Sequence, residues 1–177
     1  MVAFNVNLNT TSTRRANAIA FDVREKGRKD PKDATKWIPG TLKAAKGIGW
    51  FIEEYGVCQV SLNLTDVSVT SMHAAFDEVE RCAAARGVRV TGSELVGLIP
   101  LRALLDAGRH FLRKQNRSLG VPDRELIKIA VRSLGLDELS PFDPQKKVIE
   151  YVLAARATKK RLVDLTLRGF TEETASE

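Results

Sequence analysis

The chain has 177 residues, of which 44% are apolar, so it is long and apolar enough to fold around its own core and does not belong to the disordered class. Its net charge is +6, but the charges are dispersed, and no apolar run approaches the roughly 20 residues of a membrane-spanning helix. The N-terminus lacks the pattern of a secretory signal, and Cys58 and Cys82 do not have a metal-binding spacing. We therefore expect a cytoplasmic protein with reduced thiols, no metal and no membrane partner.

The first predicted elements are a strand, a helix and a long loop. In AFNVNLN the apolar Phe4, Val6 and Leu8 alternate with asparagines, which predicts a half-buried strand. Apolar residues then recur at helical spacing until Gly27, which is expected to end a helix. The polar stretch from Arg28 to Thr41 is interpreted as a loop. Its mixed charges favour a solvated loop, and a lid that attracts anions is the alternative.

A hairpin, a helix and a strand are predicted next. LKAAKGIGWFIEE and VCQVSLNLT form a hairpin that turns at Gly56. SMHAAFDEVERCAAARG has the apolar stripe and terminal glycine of a helix, and VRVTG is a short fourth strand. The order βαββαβ predicts an α+β, ferredoxin-like domain whose two helices cover one face of an antiparallel sheet. Four helices are predicted after it, over Pro100 to Gln115, Asp123 to Leu134, Asp143 to Leu153 and Thr158 to Phe170.

The sheet face that the helices leave uncovered is the candidate functional surface. The second strand is expected to turn its bulky residues, Ile48, Trp50 and Ile52, toward the core. Alternation then assigns to the uncovered face Asn5 and Asn7; Gly47, Gly49 and Phe51; and Gln59, Ser61 and Asn63.

This composition favours a binding or subunit-docking face over a merely solvated one. Amides both donate and accept hydrogen bonds, and glycines inside strands often mark close approach by a ligand or another backbone. RNA-binding domains of this fold carry stacking aromatics on their central strands, whereas Phe51 is the only aromatic assigned to this face. Nucleic acid is therefore not an expected partner.

No catalytic constellation is apparent in the sequence. His73 and His110 have no nucleophile or carboxylate at an indicative spacing and are interpreted as structural or exposed helix histidines. The chain has no glycine-rich phosphate loop and no metal-ligand spacing. Glu94 lies between Gly92 and Gly97 in a predicted loop after the fourth strand. It either lines a site or caps the following turn.

Four long segments resemble, in order, the C-terminal subdomain of the formiminotransferases: FNVNLNT, GIGWFIEEYGVCQVSLNLTDVSVTSMHAAFDE, VTGSELVGLIPLRALLDAGRHFLRKQ and GLDELSPFDPQKKVIEYVL. The end, KKRLVDLTLRGFTEETASE, is similar to the opening helix of the cyclodeaminase domain in the bifunctional formimidoyltransferase-cyclodeaminases. The resemblance implies a formiminotransferase C-terminal subdomain at 1–153, then a linker and the first helix of a truncated cyclodeaminase domain at 154–177.

The resemblance also implies a function in histidine catabolism. This family transfers a formimino group from N-formimino-L-glutamate to tetrahydrofolate, which is a substrate, and uses no metal. Two ferredoxin-like subdomains face each other across the folate cleft, and the catalytic histidine belongs to the N-terminal one, so no catalytic residue is assigned here. The residues implied to bind folate or substrate are Asn5, Asn7, Gly47, Gly49, Gln59, Asn63 and Glu94, of which Glu94 is expected to reach the pterin.

Two functional hypotheses stay open. The first is half of a folate-dependent transferase, inactive alone, with the N-terminal formiminotransferase subdomain, the cyclodeaminase domain and folate as partners. The second is a non-catalytic binding or assembly module that forms a homodimer through its exposed sheet face. An enzyme that acts alone is disfavoured, because no residue matches the catalytic histidine.

Overall fold

The sheet has the strand order predicted for a ferredoxin-like domain. The computed structural model of the chain describes residues 1–160. Its strands are β1 (Val2–Leu8), β2 (Arg28–Lys29), β3 (Trp37–Ile38), β4 (Ala45–Ile52), β5 (Val57–Leu64) and β6 (Val90–Val96). Its helices are α1 (Thr13–Val23), α2 (Met72–Ala84), α3 (Leu101–Lys114), α4 (Asp123–Leu134), α5 (Pro144–Lys147) and α6 (149–160). The main sheet is antiparallel with the order β4-β5-β1-β6, which confirms the predicted α+β class.

The core lies between this sheet and helices α1 and α2. Phe4, Val6 and Leu8 of β1 have no solvent exposure, and neither do Ile19 of α1 and Val79 of α2. Complete burial of such a side chain contributes about 1.5–3 kcal/mol. The period-two pattern of β1 and the helical stripe of α2 therefore predicted the correct inner faces.

Two capping side chains and one glycine place two helix starts and the hairpin turn where the sequence predicted them. Ser71 Oγ accepts a hydrogen bond from the backbone N–H of Ala74 at 3.3 Å and begins α2. The Asp143 carboxylate accepts from Gln145 N at 2.9 Å and begins α5. The hairpin turns at Gly56, which has φ 65°, a left-handed conformation that glycine adopts without steric cost.

The structure differs from the predicted elements in the long loop and in the last two helices. The predicted loop from Arg28 to Thr41 contains the short β2–β3 ladder. The helix predicted from Asp143 to Leu153 is interrupted at Val148, because this residue forms a parallel bridge with Ile99. Of the helix predicted over Thr158 to Phe170, residues 158–160 belong to α6, and the remainder lies outside the described residues.

The C-terminal helices pack beside the sheet rather than over its second face. The backbones of α3 and α4 approach so closely that a Cβ on Gly108 would lie 2.3 Å from the Leu126 carbonyl oxygen. The end of α4 is bound to the edge of β6, where Ser93 N donates to the Gly135 carbonyl at 2.9 Å and Ser93 Oγ donates to the Leu134 carbonyl at 2.6 Å. These bonds place the turn after α4, including Glu138, at the rim of the sheet.

Candidate binding face

The face of the sheet opposite α1 and α2 is the candidate site, and we call it the open face. Residues directly opposite each other in the ladder share a face, so the register defines its members. They form three rows across β4, β5, β1 and β6: Trp50, Gln59, Asn7 and Gly92; Ile48, Ser61, Asn5 and Glu94; and Lys46, Asn63, Ala3 and Val96.

The assignment of Gly47 and Gly49 to this face was wrong. Gly49 pairs with the buried Val60 and Gly47 with the buried Leu62, so both glycines face the helices. A Cβ on Gly49 would lie 2.2 Å from the Ala16 carbonyl carbon, inside the backbone of α1. Gly49 does mark the close approach of another backbone, but that backbone is the chain's own helix, whereas a Cβ on Gly47 would lie 2.8 Å from the Leu62 side chain.

The side chains of β4 face the opposite sides of the sheet from those predicted, and this changes the chemistry of the open face. Ile48 and Trp50, which were predicted to be in the core, lie on the open face with 55% and 46% of their surfaces exposed. Phe51 pairs with the core residue Cys58 and therefore lies on the helix side of the sheet. Trp50 is thus the aromatic residue of the open face, and it lies beside the exposed aliphatic side chain of Ile48.

A chain of hydrogen bonds crosses the first row. The indole Nε1 of Trp50 donates to Gln59 Oε1 at 3.2 Å, and Gln59 Nε2 donates to Asn7 Oδ1 at 2.7 Å. Asn7 Nδ2 in turn donates to Glu138 Oε2 at 2.6 Å. The four side chains come from β4, β5, β1 and the turn after α4, so tertiary structure alone brings them together.

Glu94 joins this chain from the second row. Its Oε2 accepts from Gln59 Nε2 at 3.2 Å and from Asn5 Nδ2 at 3.3 Å. The prediction that Glu94 lies in a loop was wrong, because β6 runs to Val96 and places Glu94 inside the strand opposite Asn5. Its side chain consequently points onto the open face.

The residues of this face were predicted to be uncovered, and only some of them are exposed to solvent. Asn7 and Gln59 have no solvent exposure and Asn5 is 4% exposed, because the network covers them. Ser61 is half-buried and Asn63 is exposed, and neither takes part in the chain of bonds described above. Buried amides in a complete hydrogen-bond network hold one orientation, since a turned amide would leave a donor or acceptor unpaired. The face therefore combines a rigid polar centre with an exposed apolar border.

Glu138 was not among the site residues predicted from the sequence. A Cβ on Gly92 would lie 2.4 Å from Glu138 Oε2 and 2.8 Å from the Gly135 carbonyl oxygen. Gly92 thus leaves the space through which the Glu138 side chain crosses β6. The signal in the sequence was a glycine inside the fourth strand, which was assigned to the end of that strand instead.

The two histidines lie on the other side of the sheet, where α2 meets α3. Their rings stack with centroids 4.4 Å apart, and His110 Nε2 lies 2.7 Å from Asp77 Oδ2. His73 Nε2 contacts Ser71 Oγ at 2.9 Å, and burial, followed by the nearby His110, lowers the pKa of His73 to about 4. The structural interpretation of these histidines agrees with this packing, although the carboxylate partner of His110 was not foreseen.

Other reactive groups of the described residues offer no obvious chemistry. Cys58 and Cys82 are free and buried, and burial raises the pKa of both thiols. Within residues 1–160 no group of three or more His, Cys, Asp or Glu side chains is arranged to hold a metal ion. In the same part of the chain no helix combines the length and hydropathy needed to cross a membrane.

The fold and the open face define a ferredoxin-like α+β domain with a preorganised polar surface. The family follows from comparison with known proteins: residues 3–154 match the family model described as formiminotransferase domain, and the chain belongs to this family.

Its relatives are much longer proteins. The formimidoyltransferase-cyclodeaminase of Mus musculus is 43% identical over 173 residues, which are 98% of this chain and 30% of that protein. The protein of the same name from Dictyostelium discoideum is 40% identical over 174 residues, 97% of this chain and 31% of the relative. The glutamate formimidoyltransferase of Streptococcus pyogenes serotype M1 is 34% identical over 116 residues, 66% of this chain and 35% of the relative. The chain thus spans about a third of the length of these curated relatives.

Proposed function

We propose that this chain forms one wall of the folate site in a glutamate formimidoyltransferase of histidine catabolism. The observation that carries the proposal is the family match over residues 3–154, together with the names of the relatives. The open face supports it with a rigid polar centre beside exposed apolar side chains, a combination typical of ligand sites. A chain that spans about a third of its relatives is expected to need further parts for activity.

The proposed reaction moves the formimino group from N-formimino-L-glutamate to tetrahydrofolate. A ring nitrogen of the folate attacks the formimino carbon, and the bond from that carbon to the glutamate nitrogen then breaks. The proton lost by the folate nitrogen returns to the leaving glutamate amine through a general acid/base, the histidine of the N-terminal subdomain. The contribution of this chain is to position the folate and to exclude water.

Glu94 is the residue we propose for the pterin. Both protein donors to its carboxylate, from Asn5 and Gln59, use the same oxygen, Oε2. A carboxylate accepts at both oxygens, so Oε1 is proposed to accept from a ring N–H or amino group of the pterin. Asn5, Asn7 and Gln59 then act by fixing this carboxylate rather than by lining an empty cleft. Asn63 is exposed and stays a candidate for direct contact.

We further propose that residues 1–153 are the C-terminal transferase subdomain and that residues 154–177 lead into a cyclodeaminase domain. The names of the longer relatives, which are formimidoyltransferase-cyclodeaminases, support the cyclodeaminase domain as a partner of this chain. Helix α6 crosses the proposed boundary, and its residues from 153 to 160 are exposed. The linker is therefore proposed to begin within a helix.

The proposal is tested by mixing the chain with the N-terminal subdomain of a relative and measuring formimino transfer to tetrahydrofolate. Activity is expected only in the mixture, with a 1:1 complex in analytical ultracentrifugation. Glu94→Ala is expected to raise the KM for tetrahydrofolate. Glu80→Ala is the matched control, since Glu80 is exposed on α2, on the other side of the sheet. If the mixture stays inactive, the proposal fails, and an unchanged KM removes Glu94 from the site.

Self-association through the open face is the second candidate function. The exposed Ile48 and Trp50 favour it, because adjoining apolar surface of this kind is usually covered by a partner. A tight homodimer that does not bind the N-terminal subdomain would support this candidate over the transferase.

A further inference from the structure

The hydrogen-bond chain of the open face has a direction that is determined by its carboxylates and by the indole of Trp50. A carboxylate such as Glu138 only accepts hydrogen bonds, and an indole N–H such as that of Trp50 only donates. Asn7 must therefore turn Nδ2 toward Glu138, which leaves Oδ1 for Gln59. Gln59 turns Nε2 toward both Asn7 and the Glu94 carboxylate, which also only accepts, and this leaves Oε1 for the Trp50 indole.

The acceptor at one end of this chain comes from outside the sheet. Glu138 follows α4, and it reaches Asn7 across β6 at the position where Gly92 provides no side chain. The turn that carries it is bound to the sheet through the Ser93 hydrogen bonds to Leu134 and Gly135. Its position relative to the network is thus set by the docking of the C-terminal helices.

We propose that Glu138 is a positioning residue that sets the amide orientation of Asn7 from the rim of the open face. It thereby presents Asn7 Oδ1 to Gln59, the amide that also contacts Trp50 and Glu94. The orientation of the network depends only on the contacts described above. Its effect on ligand binding rests on the proposed folate site.

Glu138→Lys tests the direction of the chain, because lysine only donates hydrogen bonds. Asn7 would turn Oδ1 toward the lysine and Nδ2 toward Gln59. Gln59 is held by Glu94 and Trp50, so the Asn7 and Gln59 amide nitrogens would then meet, donor against donor. A substitution at the rim is thereby expected to break the Asn7–Gln59 hydrogen bond in the buried centre of the open face. Glu138→Gln retains an acceptor oxygen for Asn7 and is expected to preserve it.

The measurement is the ¹⁵N-edited NMR spectrum of the 177-residue chain. The Gln59 side-chain amide proton that donates to Asn7 is expected to shift upfield in Glu138→Lys and to stay in place in Glu138→Gln. Trp37, on the β2–β3 ladder, is the internal control, and its indole resonance is expected to be the same in all variants. An unmoved Gln59 amide resonance in Glu138→Lys overturns the proposal. If Glu138→Lys does not fold, Glu138→Ala takes its place, and equal spectra for the Ala and Gln variants overturn it.

Kinetics with the assembled transferase separate this inference from the proposed function. Loss of the network is expected to raise the KM for tetrahydrofolate about tenfold in Glu138→Lys, with rescue by Glu138→Gln and little change in kcat. A shifted Gln59 amide resonance with an unchanged KM supports the direction of the network and overturns its part in folate binding. Absence of activity with the unsubstituted chain overturns the proposed function, whereas the NMR result stands independently.

Discussion

The stacked histidines between α2 and α3 are expected to make the stability of this domain depend on pH. The pKa of His73 falls from its ordinary value of 6.5 to about 4 in the folded chain. Burial is the main cause, and the nearby His110 and Arg113 also lower it, whereas Asp77 and Asp106 act in the opposite direction. The buried Nδ1 of His73 has no hydrogen-bond partner among the described residues, so a proton there would be poorly solvated.

The sign and size of the effect follow from proton linkage. Between pH 6.5 and pH 4 the unfolded chain binds a proton at His73 that the folded chain does not, so stability rises with pH across this window and is lost as pH falls through it. Lowering the pH from 7 to 5 is expected to cost about 2 kcal/mol at this group.

Urea denaturation of the chain and of His73→Gln, at pH 7 and pH 5, measures this contribution. The parent is expected to lose about 2 kcal/mol more than the variant between the two pH values. Titrating groups that do not contact His73 are present in both proteins and cancel in the difference. Equal pH dependence in the two proteins would refute the reasoning, and so would an NMR titration of the His73 ring with a midpoint near 6.5.

Two further predictions concern the fold. Gly49→Ala is expected to cost about 3 kcal/mol or more in urea unfolding, because its Cβ would lie 2.2 Å from the backbone of α1; Gly120→Ala, whose Cβ would be 3.7 Å from the nearest atom, should change stability by less than about 0.5 kcal/mol. Equal losses in the two variants would contradict the close approach of α1. Asp143→Ala removes the cap of α5 and is expected to cost about 1 kcal/mol. Asp143→Asn, which retains an acceptor oxygen, should lose much less, and an equal loss in both would argue against the cap.

Local pattern was sufficient to predict most of the elements and the fold class. The period-two alternation of β1 predicted which side of that strand is buried, since its apolar and polar residues alternate from Phe4 to Leu8. The apolar stripe of α2, bounded by Ser71 and Gly87, predicted a helix that lies within these bounds. In these segments one physical preference, the burial of apolar surface, acts on every residue in the same direction.

The orientation of β4 was decided by packing instead. Its sequence alternates glycine with bulky residues, and burial of apolar surface alone would turn Ile48 and Trp50 inward. Helix α1 lies so close to the strand that only glycine fits beneath it at position 49, and this steric requirement turns the bulky residues out. The periodicity of a single strand carries no information about how closely a helix packs against it.

The polar centre of the open face likewise depended on tertiary structure. Alternation identified Asn5, Asn7 and Gln59 as residues of one face, because side-chain direction is a local property of a strand. Their burial and orientation are due to Glu94, in a strand longer than expected, and to Glu138, which lies 131 positions from its partner Asn7. Hydrogen bonds between residues so far apart in the chain form only when the sheet and the C-terminal helices have packed together.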